Sequence, residues 1–278
     1  MPFSIKNFIA AFIFLFVASP VFADEAASRK LRQLIEVTPK ERLELNRLRN
    51  TTKLRTTRGF DQGASQLCWY FSTMNMLETN YLEAHPEVSK LEVELSRWYG
   101  GKLAGSIFVR GTSIDALNFY IRKSGIVMNT DYPKYGPDLP ERTTFLGEAF
   151  TPLALFEAFN QGVIYWSYGF SDAISGWAPH PDPDALRGTT SYFSKPSRMA
   201  NVIVESITTN RKSVTYTEGG HIVQIYGVTF EEQGKPKFYH IKDSYSPFFY
   251  DAAASRVHQN GIEVTALGGL NHRDGTAQ

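Results

Sequence analysis

The sequence predicts an α+β fold in which a mainly helical part precedes a mainly stranded part. Two observations carry this prediction. Apolar residues recur at helical spacing after the single cysteine, Cys68, and residues 221–245 read as a hairpin in which a buried strand, a short turn and an alternating return strand follow one another. With 278 residues, the chain is long enough for one large domain or two fused halves.

The N-terminal 23 residues predict a secretory signal peptide. Lys6 precedes the apolar run FIAAFIFLFVA, and Pro20 and the small-residue ending Val21-Phe22-Ala23 follow it. The run is shorter than the roughly 20 apolar residues that a spanning helix needs, so we expect cleavage after Ala23, no stable membrane insertion afterwards, and a secreted or periplasmic location. A retained anchor is the alternative.

Residues 24–58 are basic and favour helix, and we interpret them as an N-terminal extension or a short pro-segment. Thr38-Pro39-Lys40-Glu41 predicts a helix start, with a threonine cap, proline at the first helical position and glutamate three residues after the cap. The full chain has a net charge of +1 and a pI near 7.8, so nothing in this balance favours a nucleic-acid partner.

The helical half is predicted to contain three helices. The first begins near Leu67 or Cys68, the second runs from near Thr112, with Asp115 in its cap, to a stop at Gly125, and the third spans Pro152 to Asn160 behind a Thr151 cap. Predicted strands are 163–170, 221–230, 237–245 and 262–267. Residues 171–215 are predicted to form a long irregular insertion, which is either a binding element or a surface loop.

Cys68 is a candidate nucleophile. A lone cysteine is most often a small buried hydrophobe, but an exported protein has little reason to keep an unpaired thiol. The start of a helix favours a thiolate, because unpaired N–H groups and the positive end of the dipole meet there. The turn-rich loop of residues 61–65 can bring a side-chain amide and the Cys68 N–H to one point, which is the composition of an oxyanion hole.

His221 is the candidate base among six histidines. It follows Gly219-Gly220 at the start of the buried strand, and the hairpin brings Asp243, late in the return strand, opposite it. A lone histidine is more often a satisfied core residue. A thiol, an imidazole and a carboxylate in this arrangement are nevertheless the parts of a nucleophile, its base and the group that orients the base.

These residues resemble the papain-like cysteine peptidase family. Gln62 six residues before Cys68, the Trp69 and Phe71-Ser72 that follow the cysteine, Gly220-His221, Asp243-Ser244-Tyr245 and the stretch RGTSIDALNFYIRKSGIVMNTDYP occur in family order. The resemblance implies a two-lobed domain over residues 59–278. Its helical lobe, about 59–160, would carry the nucleophile, and its antiparallel β-sheet lobe, about 161–270, would carry the histidine.

The resemblance also implies roles for the site residues. Cys68, His221 and Asp243 would form the triad, and Gln62 would complete the oxyanion hole. Substrate-binding roles fall to four further residues: Gly111, Gly220, Trp69 and Tyr245.

Four departures from the family pattern change what is expected. Ser65 replaces a disulfide cysteine whose partner is also missing, and Gln66-Leu67 replaces a small pair before the nucleophile, which would reshape the cleft. Tyr245 replaces a tryptophan that shields the orienter. Asp243 replaces asparagine, and a carboxylate beside His221 should favour imidazolium more strongly than an amide does.

The sequence therefore predicts an exported cysteine peptidase that hydrolyses peptide or amide bonds of a peptide or protein substrate through a thioester. No metal ligands at suitable spacing and no phosphate-binding loop occur, so we expect no cofactor. Transglutaminase-like and arylamine acetyltransferase folds are rivals, although their histidine usually follows the cysteine sooner. A catalytically inactive papain-like binding or effector module and a narrow-specificity hydrolase are further alternatives. The substrate, endo- or exopeptidase action and the oligomeric state are left open.

Overall fold

The computed structural model describes residues 23–113, 116–160, 165–169, 196–218, 220–261 and 263–267. Most of the predicted signal peptide, Asp115 of the predicted second helix cap and residues 171–195 of the predicted insertion lie outside the described residues. The helices are α1 (Ala23–Ile35), α2 (Pro39–Leu45), α3 (Cys68–Ala84), α4 (Trp98–Leu103), α5 (Arg122–Ser124, continuing a π-helical turn at Ala116–Ile121), α6 (Pro152–Asn160), α7 (Pro196–Thr208) and α8 (Ala254–Asn260). The strands are β1 (Thr51–Lys53), β2 (Thr143–Phe145), β3 (Glu148–Phe150), β4 (Tyr165–Gly169), β5 (Val214–Glu218), β6 (His221–Phe230), β7 (Pro236–Lys242), β8 (Phe249–Ala253) and β9 (Glu263–Leu267).

Helix α3 is the central helix of the fold and begins at the cysteine, as predicted. The sequence indicated one apolar stripe, but every residue from Cys68 to Leu82 is buried. Polar residues on the other faces are buried because they have partners: Glu78, for example, forms a buried ion pair with Arg97. A helix that is enclosed on all sides fixes the position of its first residue firmly.

The first hydrophobic core lies around α3 and joins it to the π-helical turn and α6. Helix α5 ends at Gly125, the predicted stop, where φ is +77°. A Cβ at this position would lie 2.0 Å from the backbone carbonyl carbon of Pro152. Gly125 is therefore required both by its backbone conformation and by the close approach of α6.

The second half is a seven-stranded antiparallel sheet with the order β4-β9-β5-β6-β7-β8, to which β1 is added by pairing with β6. Strand β6 pairs with β5 through its first half and with β1 through its second half, while β7 runs along its other edge. The strand that begins with His221 is thus held by three neighbours. This is the predicted hairpin, and it confirms the 221–230 strand.

A second hydrophobic core lies between this sheet and helices α1, α7 and α8. Leu31 and Ile35 of α1 have no exposed surface in this core, and the Glu41 side chain of α2 receives hydrogen bonds from Arg256 of α8. The predicted Thr38 capping box is present at the start of α2. The segment before residue 59 therefore packs on the sheet lobe and supplies one of its strands, β1, which the sequence did not indicate.

The prediction that residues 171–215 are irregular is wrong for the part that the structure describes. Residues 196–208 form α7, whose buried Met199, Val202, Ile203 and Ile207 follow helical spacing, and Val214 begins β5. The Pro- and Ser-rich composition of the preceding residues favoured an irregular interpretation of the whole segment. The helix forms because burial of its apolar side chains against the sheet outweighs local propensity. Within the described part of the chain, no helix has the length and apolar character needed to cross a bilayer.

Candidate active site

Cys68 is the first residue of α3 and lies where the helical part meets the sheet. The carbonyl of Leu67, which caps the helix, accepts hydrogen bonds from the N–H groups of Tyr70 and Phe71, both at 2.9 Å. The Cys68 N–H lies in the first turn, where N–H groups have no intrahelical acceptor. The thiol side chain is 5% exposed and unpaired. A helix start thus presents both an N–H donor and a thiol at one point.

His221 and Asp243 form a fully buried pair at the start of β6 and directly after β7. The distance from His221 Nε2 to Asp243 Oδ1 is 2.7 Å, and neither side chain has exposed surface. The other ring nitrogen, Nδ1, is also buried and makes no hydrogen bond within ordinary limits to any described residue. The structure therefore brings together the predicted base and its predicted orienter and leaves one imidazole nitrogen for Cys68.

The charge of Asp243 dominates the protonation of His221. Burial alone would lower the pKa of His221, but the negative charge of Asp243, their hydrogen bond and a smaller contribution from the Cys68 thiol together raise this pKa to about 10. Burial likewise opposes ionisation of Asp243, yet the His221 charge and hydrogen bonds from His221, Ser28 and the Ser244 N–H hold its pKa below the usual range. An imidazolium–carboxylate pair is the favoured state around neutral pH.

A second histidine–carboxylate pair on the same sheet shows what distinguishes His221. His240 Nδ1 lies 2.5 Å from Asp251 Oδ1, and its Nε2 lies 2.9 Å from Thr229 Oγ1. Burial lowers the pKa of His240, and the hydrogen bond that the imidazole donates to Asp251 does not fully offset this effect. Because both of its ring nitrogens are occupied, His240 has no nitrogen for a nucleophile, as expected for a structural residue.

Two side chains fasten the cysteine helix to the histidine strand. Ser72 Oγ, one turn after Cys68, donates to the carbonyl of Ile222 at 2.7 Å. Further along β6, Gln224 Nε2 donates to the Asn75 carbonyl at 3.0 Å and has close contacts of 2.8 Å with the hydroxyls of Thr79 and Ser213. These buried bonds fix how α3 and β6 sit against each other, and hence how the thiol faces the imidazole.

Gln62 is fully buried and its side-chain amide is oriented at both ends. Ser244 Oγ donates to Gln62 Oε1, and Gln62 Nε2 donates to the Ser65 carbonyl at 2.8 Å. The Gln62 backbone N–H also donates to the Ser244 carbonyl at 3.0 Å. Ser244 follows the orienter Asp243 directly. The loop before α3 is therefore bound to the strand end that carries the carboxylate.

A small cavity of about 110 Å³ opens beside the thiol. It unites four of the predicted site residues, Cys68, Trp69, Gly111 and Gly220, across the two halves of the chain. The remaining lining residues are Gln66, Arg110, Thr112, Thr217 and Ile222. A cleft between a helical half and a sheet half, with a thiol on its floor, is a suitable place for an extended chain segment.

Trp69 lines this cavity, whereas Tyr245 lies beside His221. Trp69 Nε1 donates to the Val109 carbonyl at 2.8 Å, and a Cβ on Gly111 would lie 3.0 Å from the Trp69 ring, so only glycine fits there without displacement. Tyr245 does not line the cavity. Its ring lies 5.7 Å from that of His221, and its hydroxyl donates to the Gly63 carbonyl at 3.0 Å, so it covers the pair from solvent.

Contacts of three residues at the candidate site were not predicted from the sequence. Ser28 Oγ donates to Asp243 Oδ2 at 2.9 Å across a separation of 215 residues, and Ser72 and Gln224 join α3 to β6. No local pattern identifies a hydroxyl or amide that acts over such distances. Among the described residues, no group of three or more His, Cys, Asp or Glu side chains is arranged to hold a metal ion.

No protein-family model and no curated protein matches this sequence. Solved structures do. PepW from Lactobacillus rhamnosis is 12% identical with a TM-score of 0.58, over 95% of this chain and 92% of that one. The bromelain protease from Ananas comosus, in complex with the E64 inhibitor, is 13% identical with a TM-score of 0.49, over 80% and 99% of the two chains. The ragweed pollen cysteine protease Amb a 11, in its proform, is 14% identical with a TM-score of 0.46, over 91% and 75%.

At such low identity these similarities concern the fold alone. The predicted α+β class is confirmed, with the cysteine at the start of a central helix and the histidine on an antiparallel sheet. The similarity to PepW extends over nearly the whole length of both chains. This chain therefore has the two-lobed fold of the papain-like cysteine proteases.

Proposed function

We propose that this protein is an exported cysteine peptidase that hydrolyses peptide or amide bonds through a thioester intermediate. Cys68 is the nucleophile, His221 the general acid and base, and Asp243 the orienter of the imidazole. The observation that carries the proposal is the fully buried His221–Asp243 pair, with a distance of 2.7 Å on one side of the ring and a nitrogen left for Cys68 on the other. The fold of known cysteine proteases supports it.

In the first half of the reaction, the Cys68 thiolate attacks the carbonyl carbon of the scissile bond and a tetrahedral oxyanion forms. His221, protonated in the resting pair, transfers its proton to the leaving amine, and the C–N bond breaks to give a thioester. A pKa of about 10 keeps the imidazolium available for this step throughout the neutral range. The role of Asp243 is to hold the ring orientation and to stabilise its positive charge.

In the second half, water attacks the thioester carbonyl while His221 accepts a proton from it. The C–S bond breaks, the carboxylic acid product leaves, and the thiolate–imidazolium pair is restored. Cys68 thus ends as it began, and the net change is one water consumed per bond hydrolysed.

We assign the oxyanion hole to the Cys68 N–H and Gln62 Nε2. The support is the orientation of the Gln62 amide, because the hydroxyl of Ser244 donates to its oxygen and so fixes which end is the donor. The Gln62 nitrogen carries two hydrogens, and the Ser65 carbonyl accepts one of them, which holds the amide in this orientation. Preorganised donors of this kind stabilise charge that develops only in the transition state.

Export is proposed from the apolar N-terminal run and the small-residue ending at Ala23. An exported peptidase with a reactive thiol would act outside the cytoplasm on peptide or protein substrates.

The experiment that tests this function is hydrolysis of an unfolded protein such as casein. The purified wild type should release new peptides, whereas Cys68→Ser and His221→Ala should not, and circular dichroism at the assay temperature verifies that both variants are folded. Hydrolysis that survives in Cys68→Ser would overturn the assignment of the nucleophile. No hydrolysis by the wild type, together with saturable binding of a peptide, would favour a binding module on the same fold.

A further inference from the structure

The orienter Asp243 is a buried carboxylate whose two oxygens have different partners. Oδ1 accepts hydrogen bonds from His221 Nε2 at 2.7 Å, from the Ser244 N–H at 2.6 Å and from the Tyr245 N–H at 3.2 Å. Oδ2 accepts one from Ser28 Oγ at 2.9 Å. The first three partners lie at the start of β6 or directly after β7, whereas the fourth comes from α1, at the N-terminal end of the described chain.

Ser28 meets the requirement of an ionised carboxylate, which can only accept hydrogen bonds. Its side chain has no exposed surface, and neither has that of Asp243. A buried carboxylate oxygen without a partner is costly, because the charge has lost its water. An asparagine at position 243 would present an amide donor or acceptor instead. The hydroxyl of Ser28 therefore complements the aspartate that distinguishes this site from the asparagine of the resembled family.

Helix α1 is held in place by independent contacts, so the position of Ser28 is fixed. Leu31 and Ile35 are fully buried in the core beneath the sheet. The Arg256 guanidinium donates to the Glu36 carbonyl at 2.8 Å, and the Val37 N–H donates to the Asp251 carbonyl at 3.0 Å. The segment thus packs as a part of the sheet lobe.

We propose that Ser28 is a positioning residue for Asp243, and that helix α1 consequently remains part of the active protein and is not a pro-segment removed before activity. This inference rests on the proposed function, because positioning matters only if the triad reacts. Ser28 touches neither substrate nor the reacting atoms. It acts by holding the second carboxylate oxygen so that the first faces the imidazole.

The test is a double-mutant cycle on the rate constant with which an epoxysuccinyl inhibitor alkylates Cys68, measured between pH 3 and 10. Ser28→Ala should lower this rate constant roughly tenfold, the loss expected for a hydrogen bond to a buried charge. The same substitution in an Asp243→Asn background should change it less than about threefold, because the charge that needs the donor is then gone. Ser28→Thr, which keeps the hydroxyl, should restore most of the rate.

The pH profile gives a second readout that a merely structural role would not move. Loss of the Ser28 donor should raise the pKa of Asp243 and shift the acid limb to higher pH. The other ionisable groups around His221 and Asp243 are Cys68, Glu218, Tyr250, Arg32 and Glu36. They are the same in the wild type and in Ser28→Ala, so they do not alter the comparison of the two pH profiles.

Ser206→Ala is the matched control. Ser206 is also a buried serine on a helix of the sheet lobe, and its hydroxyl donates to the Lys212 carbonyl at 3.0 Å. It should leave the rate constant and the pH profile unchanged. Alanine favours helix, so both variants are expected to fold, and thermal unfolding verifies this.

The outcomes separate the inference from the function on which it rests. A wild type that is alkylated no faster than His221→Ala would overturn both. Rapid alkylation of the wild type with no effect of Ser28→Ala, or an equal effect in the Asp243→Asn background, would overturn the positioning role alone. Recovery of fully active protein that begins after residue 35 would also overturn it.

Discussion

Replacing Asp243 by asparagine is the sharpest perturbation of the proposed site. The amide has the same shape as the carboxylate, and its oxygen can still accept from His221 Nε2, which is 2.7 Å from Asp243 Oδ1 in the native protein. What disappears is the negative charge. That charge is the largest influence that raises the pKa of His221 against the opposing effect of burial.

The size of the effect follows from the pKa of His221. With the carboxylate present this pKa is about 10, compared with an ordinary value of 6.5. Without the carboxylate, burial acts to lower it and only the Cys68 thiolate opposes this, so we expect a fall of roughly 3 pH units, which corresponds to about 4 kcal/mol. At pH 8, an imidazole with its ordinary pKa is only about 3% protonated, so the reactive ion pair would be depleted roughly 30-fold.

The assay is the pH dependence of kcat/KM, or of Cys68 alkylation, from pH 5 to 10. The wild type should stay active until the pH approaches 10, whereas Asp243→Asn should keep measurable activity near pH 6 and lose it through neutral pH. Asp251→Asn is the matched control, because it neutralises the carboxylate of the other buried pair, which His240 shares. A basic limb in Asp243→Asn that coincides with that of the wild type would refute the reasoning.

Three further outcomes are expected. Gln62→Ala should reduce turnover on the order of 100-fold while far-ultraviolet circular dichroism is unchanged, and full turnover would remove this residue from the oxyanion hole. Gly125→Ala should destabilise the fold by at least about 3 kcal/mol in urea unfolding, since it adds a clash with the backbone of α6 to the strain of a positive φ. Gly234 has the same φ of +77° as Gly125, but no atom lies within 4 Å of an added Cβ, so Gly234→Ala should cost only about 1–2 kcal/mol of stability. Equal losses of stability in the two variants would contradict the predicted clash at Gly125. Between pH 7 and 9, His221 in the folded protein keeps a proton that the unfolded chain has released, so this residue makes stability fall as the pH rises. Burial lowers the pKa of Lys242 to about 7. In the same pH range the unfolded chain therefore binds a proton that folded Lys242 has lost, and this residue makes stability rise with pH. The slope of unfolding free energy against pH should therefore become more positive in His221→Gln and more negative in Lys242→Met, by up to about 1.4 kcal/mol per pH unit each, and unchanged slopes would refute these assignments.

The predictable parts of the fold are the elements that are determined by residues close together in the sequence. Helix α6 has the predicted bounds because a threonine cap and a proline at its first position mark its start, and β6 follows from a mainly apolar run with few breaks. The pairing of His221 with Asp243 followed from the hairpin alone, since antiparallel strands bring the beginning of one opposite the end of the next.

What could not be predicted depends on contacts between distant segments. Strand β1 has only three residues and is a strand because it pairs with β6, about 175 residues later. Ser28 has no local feature that links it to a carboxylate 215 residues away. The spacing of apolar residues in α7 was present in the sequence, but it acquires meaning only when the sheet is there to cover it.

The central claim is that Cys68 and His221 form an assembled thiolate–imidazolium pair. The most direct measurement is labelling of the purified protein with an epoxysuccinyl thiol-protease inhibitor, read by intact mass against His221→Ala and against unfolded protein. The account predicts rapid addition of one inhibitor molecule to native wild type at Cys68, and a rate that collapses in His221→Ala and on unfolding. Labelling of the wild type no faster than of the variant would contradict it, because Cys68 would then react as an ordinary thiol.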